Sequence, residues 1–158
     1  MIRTRRLLLV PCTPEEVRAQ IAKMDEHDRK HVSPLWLARL AAATTVDPWV
    51  LGFSVVHAAS GDAIGSCGFK APPDEDGMVE IAYGLAAAHQ NKGYATEAAE
   101  ALVRFASADA RVRLIRAHTF DEANASARVL GKCGFHPRGQ VIDPEDGPVF
   151  RWEIQCAT

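Results

Sequence analysis

The stretch from Val79 to Ala98, VEIAYGLAAAHQNKGYATEA, constrains the fold more than any other part of the chain. Alternation places Glu80, Ala82 and Gly84 on one face of a strand, and Val79, Ile81, Tyr83 and Leu85 on the other. A helix follows within a few residues. Ala95, Ala98, Ala99, Leu102 and Ala106 share one of its faces, while Glu97, Glu100 and Arg104 point elsewhere. The first N–H groups of a helix lack internal partners, and the helix dipole adds partial positive charge there. Gln90-Asn91-Lys92-Gly93-Tyr94-Ala95 therefore opens the helix with free amides. Gly93 lets an oxygen approach the backbone, Ala95 does not obstruct it, and Lys92 adds charge. Helix ends of this kind bind phosphate groups, so the loop reads as a diphosphate site.

The remaining sequence supplies strands and helices around this unit. Leu7 to Val10 reads as a first strand, and Thr13-Pro14-Glu15-Glu16 starts a helix to about Met24 with a hydroxyl cap, a proline and first-turn acids. Ser33-Pro34 starts a second helix through Leu35, Trp36, Leu37, Leu40 and Ala41. Strands are expected at Trp49–Ala58, Ala63–Lys70 and Met78–Leu85, and the long helix at about Gly93 to Ala108. Val112–Phe120 reads as a strand and Asn124–Lys132 as a helix stopped by Gly134. Phe135–Ile142 and Val149–Gln155 close the order as strands. This is a mixed α/β sheet whose long helix follows the fourth strand. No repeat or composition break divides residues 1–158, so a single domain is expected.

Composition removes several classes of function. A net charge of -2 argues against a nucleic-acid partner, which calls for a basic face. No apolar run approaches the ~20 residues that span a bilayer. Leu7 to Val10, after Arg3, Arg5 and Arg6, is too short for a signal-peptide core, so no membrane association and a cytoplasmic location are expected. Cys12, Cys67, Cys133 and Cys156 are scattered singly and read as reduced thiols. His27 and His31 stand four apart but are expected in the loop between helices, without a supporting carboxylate framework; no metal is expected.

Gln90-x-x-Gly93-x-Ala95 resembles the Q/R-x-x-G-x-G/A acetyl-CoA signature of the GNAT N-acetyltransferase superfamily, and the element order resembles that family too. Thr4-Arg5-Arg6-Leu7, Gly68-Phe69-Lys70 and Val129-Leu130-Gly131-Lys132-Cys133-Gly134-Phe135 are similar to the branch containing the ribosomal-protein N-terminal acetyltransferases. The resemblance covers nearly the whole chain. It implies an α/β domain of α+β type with the GNAT fold. That fold has a central, mostly antiparallel mixed sheet of about seven strands with flanking helices. Acetyl-CoA lies between splayed strands four and five. It further implies that backbone N–H groups of Gln90, Asn91, Lys92, Gly93, Tyr94 and Ala95 hold the pyrophosphate. The resemblance also implies that the strand near Tyr83 and Leu85 pairs with the pantetheine and that Asn124 touches the cofactor arm. Against the family pattern, Ala87 replaces a frequent proline and Asn91 a frequent glycine. Asn124 precedes Ser126 by two residues instead of three. Leu130 stands where many relatives carry a tyrosine as general acid.

The implied chemistry is attack of a neutral amine on a thioester by direct transfer in a ternary complex. A thiol of pKa about 8.5 is a fair leaving group unassisted, so loss of the tyrosine slows such a site without abolishing it. Ser126 or a water is available to protonate the thiolate. Neutral lysine lies about 3.4 kcal/mol above a neutral α-amine at the same pH, from a pKa gap of about 2.5. A protein or peptide N-terminal α-amine is therefore the favoured acceptor, with polyamine, amino-acid or aminoglycoside-like amines close behind. Glu80 is the candidate base. A strand carboxylate among apolar residues is either tuned for proton transfer or paired, here with an arginine such as Arg116. His118 is a candidate relay or a plain strand histidine. Asp74-Glu75-Asp76 and Asp143-Pro144-Glu145-Asp146 read as solvated turns that also suit a cationic amine. A CoA-binding sensor without chemistry is the rival of another class, and under either reading a monomer or homodimer is expected. A nucleotide-binding domain lacks its glycine series.

Overall fold

Side-chain caps set the helix starts in the computed structural model, which describes residues 1–121 and 124–156. Thr13 accepts from the Glu16 N–H and Pro14 takes the first position of α1 (Pro14–Lys23). Ser33 and Pro34 do the same for α3 (Pro34–Ala42). Between them Asp25 caps a short α2 (Glu26–Lys30), so His27 is helical and His31 ends the helix, where a loop was expected.

The expected strand Trp49–Ala58 is divided. Asp47 accepts from the Trp49 N–H and Pro48 occupies a first-turn position, which winds Pro48–Leu51 into α4. Gly52, at φ 70°, then turns the chain into β3 (Phe53–His57). An apolar run this short carries either periodicity, and the cap before it decides. Trp49 thereby leaves the sheet and packs on Phe69 and Phe105.

The other strands are β1 (Ile2–Arg3), β2 (Leu7–Pro11), β4 (Ala63–Phe69), β5 (Met78–Leu85), β6 (Leu114–Thr119), β7 (His136–Asp143) and β8 (Gly147–Gln155). They form one mixed sheet in the order β1-β2-β3-β4-β5-β6-β8-β7. The eighth strand beyond the expected seven is β1, a two-residue edge pairing Ile2 with Leu9 and Arg3 with Leu8, too short to show alternation. The fourth and fifth expected strands are thus β5 and β6.

α5 (Tyr94–Ser107) lies against β2, β4 and β5. Its small residues Ala98, Ala99, Ala101 and Ala106, with Leu102, pack into one core with Leu7, Leu9, Val55, Ile64, Val79 and Ile81. Each fully buried leucine, isoleucine or valine there contributes roughly 1.5–3 kcal/mol. α6 (Ala125–Lys132) packs beside α5. A smaller cluster of Cys12, Val17, Leu40, Val50 and Leu51 joins α1, α3 and α4. No helix among the described residues is long and apolar enough to cross a membrane.

One irregularity positions everything that follows. The parallel strands β5 and β6 pair only at Met78–Leu114, Val79–Ile115 and Glu80–Arg116. Past Glu80 they part, β5 staying with β4 to Leu85 and β6 with β8 to Thr119. The sheet forks there.

Candidate active site

Helices α1 to α4 and α6 each have a side chain that accepts a first-turn N–H, but no side chain caps α5. Its first internal bond runs from the Glu97 N–H to the Gly93 carbonyl, so the preceding amides have no partner within the helix. Asn91 and Gly93 both take left-handed backbone, at φ 62° and 84°. Asparagine is among the few residues that tolerate this, which accounts for its presence where glycine is common. The Gln90 side-chain amide donates to the Leu85 carbonyl at 3.0 Å and ties the loop to the end of β5. A cleft of about 440 Å³ runs from this loop to α6. Gly84, Leu85, Gln90, Asn91, Gly93 and Ala95 line one wall, and Ser126, Arg128, Val129 and Lys132 the other. Arg128 and Lys132, one turn apart and exposed, bring two positive charges to it.

The N-terminal segment braces the loop from behind. Glu97 accepts from the Thr4 hydroxyl and the Arg6 N–H, both at 2.6 Å, and from Arg6 Nε at 2.8 Å. Arg6 also donates to the Lys92 carbonyl at 3.0 Å and lies over the Tyr94 ring at 4.5 Å. Lys92 and Tyr94 therefore meet the brace through a carbonyl and a ring, and neither lines the cleft. Burial alone would push the Glu97 carboxyl up, but Thr4 and Arg6 hold it below its ordinary value.

The fork is a crevice of about 320 Å³ that shares Tyr83 and Ser126 with the cleft. The Tyr83 hydroxyl reaches the Ser126 carbonyl at 3.5 Å, and burial pushes the phenol up to about 12, so it keeps its proton. Leu130, 1% exposed, adds an apolar wall. Asn124 lines the crevice while its Oδ1 caps α6 by accepting from the Ala127 N–H at 2.9 Å.

Glu80 faces the crevice from β5, and its partner differs from the arginine considered above. Arg116 pairs with Glu153 at 2.8 Å, its neighbour across β8. Lys70, from the end of β4, reaches Glu80 at 2.8 Å and Asp146 at 2.6 Å. Burial would lower the Lys70 ammonium, yet Asp146 and Glu80 raise it overall. His118 is 4% exposed in its side chain. Its Nε2 accepts from Arg151 Nε at 3.1 Å, while Nδ1, without a hydrogen-bond partner among the described residues, lies 3.4 Å from Glu80 and 3.9 Å from Asp143. Burial leads in pushing the imidazole below its ordinary value, joined by Arg151 and Lys70 against the pull of Glu80 and Asp143. Ligand-type atoms of Glu80, His118 and Asp143 lie within 4.8 Å of one another, but Lys70 already supplies the cation there.

Beyond Glu80 the crevice meets a groove of about 510 Å³, sharing Lys70, Glu80 and Asp146 with it. Trp36, Leu35, Phe69 and Pro72 give the groove an apolar side, and Asp74, Asp143 and Glu145 an acidic one. The two acidic turns, far apart in sequence, converge there. Both are also engaged locally: Asp74 accepts from the Asp76 and Met78 N–H groups, and Asp143 from those of Glu145 and Asp146. The four cysteines are free thiols. Burial pushes Cys67 up to about 12 and Cys133 up to about 11, so neither is a thiolate near neutrality.

The family model described as an acetyltransferase (GNAT) domain matches residues 4–136. The chain belongs to the GNAT acetyltransferase family. It is 31% identical over 93 residues to the uncharacterized N-acetyltransferase p20 of Bacillus licheniformis, covering 59% of this chain and 52% of that protein. It is 34% identical over 89 residues to the uncharacterized N-acetyltransferase YjdG of Bacillus subtilis (strain 168), covering 56% and 51%. The chain thus spans about half the length of the curated relatives it matches. Solved structures share the fold. A GNAT-family acetyltransferase from Bacillus anthracis superposes with a TM-score of 0.69 at 20% identity, covering 98% of this chain and 97% of that one. RimL, the ribosomal L7/L12 α-N-protein acetyltransferase in complex with coenzyme A, gives 0.69 at 16%, covering 97% and 96%. The aminoglycoside acetyltransferase AAC(6')-Ib in complex with coenzyme A gives 0.64 at 20%, covering 94% of each.

Within this GNAT fold, Tyr83, Leu85, Gln90, Asn91, Gly93, Ala95 and Ser126 gather around one cleft, and Glu80 and Asn124 around the adjoining crevice. Sequence reasoning missed Arg128 and Lys132, whose spacing of four on a helix was the available signal. It also missed Lys70 and Arg151, which reach Glu80 and His118 only through the sheet.

Proposed function

We propose that the chain is an acetyl-CoA-dependent N-acetyltransferase acting by direct attack in a ternary complex, with a protein or peptide N-terminal α-amine as acceptor. The observation that carries this reading is the continuity of three cavities. The cleft joins the crevice at Tyr83 and Ser126, and the crevice joins the groove at Lys70, Glu80 and Asp146. A cosubstrate held in the cleft and an amine in the groove therefore meet at the fork without a covalent enzyme intermediate. Acetyl-CoA supplies the activated acyl group. The Gln90 N–H, expected to join the grip, is already taken by the Ala87 carbonyl at 3.3 Å, and the amides from Asn91 to Ala95 suit the diphosphate, with Arg128 and Lys132 adding complementary charge. The exposed edge of β5 beyond Glu80 is open to the amide-bearing arm.

At the fork, Glu80 takes the proton that leaves the acceptor nitrogen, and Ser126 lies where a departing sulfur can be met by a hydroxyl. A site this sparse favours an acceptor that is substantially neutral near pH 7–8, which an α-amine is and a lysine is not. The convergence of two acidic turns on the groove favours a second reading, a small amine with several positive charges. Screening acetyl-CoA consumption against terminal peptides, polyamines and aminoglycosides tests both. Turnover with peptides supports the first reading, and turnover confined to polycations replaces it with the second. Tight CoA binding without turnover on any amine supports a sensor. No heat and no thermal shift with CoA or acetyl-CoA overturns the whole reading.

A further inference from the structure

His118 sits at the mouth of the fork. On β6 it lies two residues past Arg116, the last residue paired with β5, and on the same face of the strand. Its cross-strand neighbour on β8 is Arg151, whose Nε–H donates to His118 Nε2 at 3.1 Å. A guanidinium can only donate, so Nε2 must present its lone pair. The proton of the neutral ring is then on Nδ1. This nitrogen is buried, has no hydrogen-bond partner among the described residues, and faces Glu80 Oε2 at 3.4 Å and Asp143 Oδ1 at 3.9 Å.

A buried donor left unpaired costs about 1–3 kcal/mol, and native proteins rarely carry one without use for it. The contact to Glu80 is longer than the 2.7–3.2 Å typical of such bonds, and catalytic hydrogen bonds commonly tighten only once substrate is present. In the free protein Lys70 also holds the same Glu80 oxygen, at 2.8 Å, while sharing itself with Asp146 at 2.6 Å. An incoming ammonium group in the groove competes with Lys70 for these carboxylates.

We propose that His118, with its tautomer fixed by Arg151, is a positioning residue that holds the Glu80 carboxylate toward the acceptor nitrogen when Lys70 is displaced. This rests on the acetyl-transfer reading and on Glu80 as its base. The groups facing the imidazole are Glu80 on β5, Lys70 at the end of β4, Arg151 on β8 and Asp143 at the end of β7. Burial leads in disfavouring the charged ring, which keeps the imidazole neutral and a single-tautomer donor at neutral pH. No proton is transferred by His118. It donates one hydrogen bond, and the proton from the amine goes to Glu80.

The test has an arm that needs no turnover. Long-range proton–nitrogen NMR of the imidazole in the full chain is expected to show His118 protonated on Nδ1 at pH 7, and the Nε2–H form in Arg151→Met. A dominant Nε2–H form in the wild type overturns the proposal, whatever the enzyme does. For turnover, His118→Ala is expected to lower kcat by about 10- to 100-fold. The CoA affinity and the acceptor KM stay within about threefold, and the acid limb of kcat/KM moves to higher pH because a donor to the carboxylate is lost. His118→Asn, which keeps an N–H donor, is expected to recover most of the rate. A kcat within twofold of wild type in His118→Ala overturns the proposal, as does equal loss in the asparagine variant with an unmoved pH profile. If wild type acetylates no amine, the acetyl-transfer reading has failed, and the NMR arm still decides the tautomer.

Discussion

Arg6 and Glu97 are 91 residues apart in the chain, yet two nitrogens of Arg6 and the two oxygens of Glu97 close on each other at 2.6 and 2.8 Å. The pair fixes the N-terminal strand to the first turn of α5. Arg6 then continues to the Lys92 carbonyl and the Tyr94 ring, so the loop is braced by residues that do not line the cleft. The unpaired amides are held in place by a contact that does not use them.

Glu97→Gln is expected to weaken CoA binding about three- to tenfold by calorimetry, a modest effect because the Arg6 side chain is partly solvated. A stability signature accompanies it. The Glu97 carboxyl is held below its ordinary value, so its contribution is fully present above the unfolded pKa and is lost as pH falls through the folded one. The stability gap between wild type and Glu97→Gln, read from urea unfolding, should be constant down to about pH 5 and shrink below about pH 4. A gap that persists unchanged at pH 3 would dissolve the proposed linkage.

Gly93 carries a different constraint. A Cβ there would lie 3.0 Å from Arg6 Nη2, at a φ of 84°. Gly93→Ala should lose about 1–2 kcal/mol from left-handed strain and lower Tm by several degrees. Affinity for CoA should fall about tenfold or more, because the methyl presses on the Arg6 guanidinium and loosens the brace that holds the loop. Asn91→Gly should leave both quantities almost unchanged, since glycine accepts φ 62° freely. Undiminished CoA affinity in Gly93→Ala would mean that the loop does not grip the diphosphate.

Glu80→Gln keeps the shape of the crevice and removes its carboxylate. A drop in kcat of tenfold or more, at unchanged CoA affinity, is the expected result in steady-state assays with calorimetry alongside. An unaltered rate removes Glu80 from the mechanism and leaves its pairing with Lys70 as a structural contact.

Arg128 and Lys132 should act through charge alone. Replacing both with alanine is expected to raise the Kd for CoA about tenfold at low salt, and the difference should shrink as ionic strength approaches 0.5 M. A salt-independent difference would point to packing on α6 instead.

Much of the site was legible because its signals are local. The caps at Thr13 and Ser33 act on N–H groups three residues away, and both form as read; Asn124, assigned to the cofactor arm by resemblance, caps α6 in the same local way. Asp47-Pro48 carries the same kind of signal, but the apolar run beside it fits a strand as well as a helix, so α4 shows only in the fold. The faces of Val79–Leu85 are legible because a strand has a period of two wherever it sits: Val79 and Ile81 are buried under α5, and Glu80 is on the other side. The partner of Glu80 was not legible in the same way. Arg116 is opposite it in register, but Glu153 on the far side of β6 takes that arginine, and Lys70 takes Glu80.

The sequence alone determined the glycine-bearing loop that opens α5, the alternation that puts Glu80 and Tyr83 on opposite faces, and the order of the longer elements, because each depends on residues within a few positions of one another. Tertiary structure decided where the sheet forks, which charges meet at Glu80, and how cleft, crevice and groove join. Those features depend on side chains such as Lys70 and Asp146, 76 residues apart, or His118 and Arg151, 33 apart. Nothing local fixes such pairings. They follow from strand register and from the burial that makes each charge seek its nearest counterpart.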